Sequence, residues 1–155
     1  MSDNFVTNVG SGGSTFAADD IGAGLLASRV KVLCGADGTG QDNWTPFRLV
    51  SAASTNATNV KASAGAVGFL WAVNLNAAVR YLKLYNKASA PTVGTDTPIA
   101  TLPIPASATG AGFMIPIPGG VAFTTGIAYA VTTGPTDADT GAVAANEIFV
   151  FGGFA

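Results

Sequence analysis

The most regular hydrophobic pattern in the chain runs from 66 to 88, AVGFLWAVNLNAAVRYLKLYNKA, and it has the period of two that belongs to strands. Across residues 67–75, Val67, Phe69, Trp71 and Val73 share one face while Gly68, Leu70 and Ala72 fill the other, so both faces are apolar. Such a strand belongs in the middle of a sandwich or beneath a second chain. Asn74, Leu75, Asn76 and Ala77 make a short polar break. Residues 79–87 then return, with Leu82 and Leu84 on a core face and Tyr81, Lys83 and Tyr85 on an amphipathic one. The two segments read as a core hairpin.

The same pattern predicts strands on either side. Residues 29–34 alternate basic with apolar, and Asp37-Gly38 marks the turn that follows. Residues 47–51 and the shorter 59–62 come next. Segments 99–104 and 113–117 carry or adjoin Pro103, Pro105, Pro116 and Pro118, and proline confines a strand to a sheet edge. After a Pro118-Gly119-Gly120 turn come 121–123, then 126–133 with Ile127, Tyr129 and Val131 on one face. A polar loop covers 132–145, and 147–151 is apolar on both faces. Val, Thr, Gly and Pro dominate the apolar segments, which disfavours helix. About eight to ten short strands separated by turns predict an all-β fold, an antiparallel β-sandwich over 28–155, jelly-roll-like among the variants.

Residues 1–27 break the pattern. Gly10, Gly12, Gly13, Gly22 and Gly24 alternate with small polar residues, and isolated apolar pegs stand at Phe5, Val6, Phe16, Ile21, Leu25 and Leu26. Glycine at this density makes any element costly in backbone entropy. An extended N-terminal arm is expected, with Phe5, Phe16, Ile21, Leu25 and Leu26 as docking pegs.

Composition sharpens this picture. Charged residues are only 10% of 155 while 48% are hydrophobic, so the chain must bury much of its surface or coat itself with neutral polar groups. Burial against other chains is expected, with Ile148, Phe149, Val150 and Phe151 as the oligomer face. A net charge of −2 with scattered Lys and Arg offers no footprint for nucleic acid. Neither a secretory leader nor an apolar run of membrane-spanning length is visible. The one cysteine, Cys34, ends an apolar run, reads as a small buried thiol, and agrees with a reducing compartment.

Catalytic chemistry has little to stand on. With no histidine and one cysteine, Ser-His-Asp and Cys-His arrangements, His-ligated metals and thiolate zinc clusters are excluded. The glycines around Asp37-Gly38 lack the lysine and the following helix of a phosphate loop. Asp37 with Asp42 and Asn43, or Asp137 with Asp139, offers too few oxygens for calcium. Asp19-Asp20 points apart in an extended chain. Trp44, Trp71, Tyr81 and Tyr85 could stack sugars, although core and interface packing is the simpler use. Neither enzyme activity, nor a cofactor, nor a metal is expected.

Two blocks carry a family likeness. The first is Ala18-Asp19-Asp20-Ile21-Gly22 with Arg29-Val30-Lys31-Val32 and the 35–39 turn; the second combines 54–62 and Asn74 with 79–87 and 90–98. Together they resemble small structural proteins of tailed bacteriophage particles, over most of the chain but not over 1–17. The resemblance implies a non-enzymatic virion component made in the host bacterial cytoplasm. A capsid decoration or cement protein on the head exterior is the favoured role, homo-oligomeric and expected as a trimer, with the major capsid protein or other virion proteins as partners. The alternatives are a tail- or fibre-associated component and a glycan-binding adhesin module.

Overall fold

The computed structural model describes residues 44–155 throughout, and before them the backbone of three short strands, β1 (Asn4–Phe5), β2 (Phe16–Asp20) and β3 (Leu26–Ser28). These three pair antiparallel in the order β1-β2-β3, where the sequence pattern predicts no strand. Phe5, Phe16 and Leu26 lie on them. Ile21 and Leu25, the strand expected at 29–34, and Cys34, Asp37 and Asp42 lie outside the described residues.

Eight strands make up the rest: β4 (Thr45–Val50), β5 (Thr58–Lys61), β6 (Gly65–Asn74), β7 (Arg80–Asn86), β8 (Ala100–Ile104), β9 (Ala111–Phe123), β10 (Ile127–Thr132) and β11 (Ile148–Phe154). No helix occurs among the described residues. The strands form two four-stranded antiparallel sheets, β5-β10-β7-β8 and β4-β11-β6-β9, in a sandwich-like arrangement. Their pairing resembles one long hairpin folded over: β7 with β8, β6 with β9, β5 with β10, β4 with β11. Contacts of β10 with β7 and of β11 with β6 close each sheet.

One apolar core joins the sheets. Leu49, Leu70, Ala72, Ile148 and Val150 face Leu82, Leu84, Ile104, Ile127, Tyr129 and Val131. Fully burying such a side chain stabilises by about 1.5–3 kcal/mol. The expected face of β7, Leu82 with Leu84, is the core face, and so is that of Ile127, Tyr129 and Val131. The prolines also sit where expected, since β8 and β9 are both edge strands.

Three expectations are corrected. β6 and β7 are not a hairpin: they lie in opposite sheets, and residues between them arch across the core. The arch is held by Asn74, fully buried, whose Nδ2 donates to the carbonyls of Ala78 at 2.9 Å and Ile104 at 3.3 Å while its Oδ1 accepts from the Asn76 amide at 2.8 Å. Opposite β7, β6 packs Leu70 and Ala72 against Leu82 and Leu84 and keeps Phe69, Trp71 and Val73 on its outer face. Second, Val67 points into the core and not outward with Phe69, Trp71 and Val73, because a register shift between Val67 and Phe69 breaks the alternation. Third, Pro118-Gly119-Gly120 is not a turn between two strands. Gly119 and Gly120, at φ +79° and +73°, distort one continuous strand, β9.

Candidate functional site

The outer faces of the two sheets differ. On β7, Lys83 and Tyr85 point away from the core yet are buried, because loops lie over them. The Lys83 ammonium donates to the carbonyls of Thr136 at 2.6 Å and Asp139 at 3.3 Å. Burial holds its amine below the ordinary lysine value, against the opposing pull of Asp139 and Asp137. Tyr85 packs with Ala128 and Ala130 under Ala57 and Val93, and its hydroxyl is buried with no hydrogen-bond partner among the described residues. Burial first, then the charges of Asp96 and Asp137, pushes its phenol upward.

The covering loops are themselves fastened. The Asp139 carboxylate accepts from the amides of Gly134 and Gly141, both at 3.1 Å. Asp96 takes the Lys87 ammonium and the Thr92 amide, and these bonds hold its carboxyl below the usual range. At the arch end, buried Glu147 pairs with Arg80 and accepts from the Ala144 amide at 2.6 Å. Ser51 Oγ accepts from the Glu147 and Ile148 amides beside it. These groups fasten the covering loops and the arch end of the sandwich. Among the described residues no three acidic, cysteine or histidine side chains come together.

Among the described residues nothing comparable covers the other sheet. Its outer face carries Arg48, Phe151, Trp71 and Met114 in register, one from each of β4, β11, β6 and β9. Trp71 is 44% exposed, Phe151 38% and Met114 73%. The row beside it runs Val50, Phe149, Val73, Gly112, and the next Pro46, Gly153, Phe69, Pro116. Phe69 lies against Phe151 with ring centroids 5.6 Å apart. Trp44 closes one end: a methyl added to Gly68 would fall 2.2 Å from its ring, so glycine is what lets the indole approach the backbone of β6. Toward the other end an open groove of about 490 Å³ runs between Trp71, Val73 and Leu75 and the 109–114 segment.

The expected site residues are divided by this geometry. Of the oligomer-face quartet, Phe149 and Phe151 belong to the exposed face, whereas Ile148 and Val150 fill the core and are removed from it; a period of two cannot put four consecutive residues on one surface. The sugar-stacking quartet is not brought together. Trp44 and Trp71 lie on one sheet, Tyr81 and Tyr85 on the other. Met114 was missed by sequence reasoning, although its alternation with Phe113 and Ile115 is the signal that could have found it.

No family model, no curated protein and no solved structure matches the chain.

Proposed function

We propose that the chain is a non-enzymatic structural protein of a tailed bacteriophage particle: a capsid decoration or cement protein, homo-oligomeric, bound on the head exterior through its N-terminal arm. The observation that carries this reading is the strand order. Counted along the eight sandwich strands, one sheet reads first, eighth, third, sixth and the other second, seventh, fourth, fifth. That order supports a jelly roll, a fold used by viral capsid domains and lectins. Fold alone does not give function, so the argument also rests on the two sequence blocks that resemble virion proteins. A largely apolar outer face whose three rows hold one charged side chain, Arg48, suits a part that works inside an assembly.

A lectin-like reading has one observation in its favour, the exposed Trp71 beside a groove. The groove walls are apolar, with Thr109 the one side-chain hydroxyl among them. Sugar recognition needs several polar groups in addition to a stacking ring, so assembly is the better account.

Imaging of assembled particles tests the proposal. The expected result is density for this chain at regular positions over the head. Its presence in a few copies at the tail or fibres would replace the decoration role with the tail role, and its absence from particles would overturn the virion reading.

A further inference from the structure

We propose that the outer face of the β4-β11-β6-β9 sheet is buried against the same face of a second copy of this chain, in a two-fold dimer. This gives the oligomerisation in the preceding reading a definite surface, and it contradicts the trimer expected from sequence.

The partner follows from counting patches. A three-fold contact is heterologous and needs two different complementary surfaces on each chain, whereas a two-fold contact needs one surface that fits itself. Of the seven large apolar side chains exposed among the described residues, four gather in one place: Trp71, Phe151 and Met114 in one row and Leu75 beside them in the groove. Ile99, Val79 and Val121 stand apart from that row. A single patch that fits itself is buried most simply across a two-fold axis, each copy covering the other.

Charge and size favour a second copy. Arg48 is the one charged side chain in the three rows, and it lies on an edge strand. The face offers no field to select a charged partner, and its charge-free centre resembles the middle of homodimer interfaces. With strands about 4.8 Å apart and rising about 3.3 Å per residue, four strands around the ten residues of β6 give a face of roughly 19 by 30 Å. Two copies would bury about 1,100 Å², just above the roughly 1,000 Å² a specific interface needs. Trp71 is placed to be the central anchor, ringed by Phe69, Phe151 and Met114.

The test is light scattering and sedimentation on the isolated full chain, beside Met114→Asp and Ile99→Asp. Met114 is 73% exposed, so a carboxylate there is compatible with folding, which circular dichroism checks. The expected result is a dimer at micromolar concentration for the parent and for Ile99→Asp. Met114→Asp should dissociate at least 10-fold more readily, and Trp71 emission should shift to the red as the parent dimer is diluted. A monomeric or trimeric parent overturns the proposal. So does a dimer that Met114→Asp leaves intact, since the contact then lies on the arm or elsewhere. Because the measurement needs no particle, its failure is distinguishable from failure of the virion reading.

Discussion

Phe47 on β4 lies 5.8 Å from Tyr129 on β10, ring centroid to centroid, with the two planes 24° apart. The pair is a stacked aromatic contact between the two sheets, and Phe154 of β11 adds a second ring 6.4 Å from Phe47. Phe47→Ala removes both contacts and leaves a cavity between layers. A loss of about 3 kcal/mol is expected in chemical denaturation, at the low end for such truncations because Phe47 is only partly buried.

Asn74→Ala should cost about 2–4 kcal/mol, because three backbone groups of the arch lose their partner inside the protein. Asn76 makes a similar bond to the Ala78 amide, but in an exposed setting. Asn76→Ala should therefore cost no more than about 1 kcal/mol. Equal losses in thermal or chemical unfolding would mean that the arch is not held from inside.

Tyr85→Phe removes a buried hydroxyl that has no partner among the described residues, so stability should rise by about 1 kcal/mol. The same burial governs alkaline behaviour. Burial raises the phenols of Tyr85 and Tyr129 above the ordinary value of 10.0, a bond with Thr58 partly opposing it at Tyr129. The folded state therefore keeps protons that the unfolded chain releases. Their contribution is full below pH 10.0 and is lost as pH climbs through the raised folded values. Lys83 slopes the other way, its contribution growing as pH rises from its lowered folded value toward 10.5. Melting curves from pH 8 to 11 check both signs: Tyr85→Phe should flatten the alkaline fall, and Lys83→Met should remove the rise before it.

Gly68→Ala places a methyl where the Trp44 ring lies. The expected outcome is a loss of about 1–3 kcal/mol and a red shift of Trp44 emission as the indole is displaced. In a Trp44→Ala background the same substitution should cost much less. If the two effects are simply additive, the ring and the glycine are not in contact.

Most strands were legible because period-two alternation is a local property. Residues 47–51, 59–62, 79–87 and 147–151 coincide closely with β4, β5, β7 and β11. Partnership is not local. Nothing in the polarity of β6 and β7 distinguishes a hairpin from an arch, and Asn74 looks the same in a turn as in a core. The burial of Lys83 was illegible for a related reason: alternation marks it as outward, and only the 133–141 loop folding back over β7 makes outward mean inside. For the exposed sheet, Phe69, Trp71 and Val73 were legible as one face, and the bulge that removes Val67 from them was not.

The pairing order sets the timing of folding. Among the eight sandwich strands only β7 and β8 are both neighbours in sequence and partners in a sheet. β11 inserts between β4 and β6, so the first and third of these strands acquire their shared partner only when residues 148–154 have left the ribosome. Until then β4 and the inner edge of β6 expose unpaired backbone beside Phe69 and Trp71. Topologies of this kind close distant loops before contacts repay them, and they fold on the scale of milliseconds to seconds. Closure therefore waits for residues 148–154, and the interval before they pair is when a nascent chain of this protein is most open to aggregation or to capture by a chaperone.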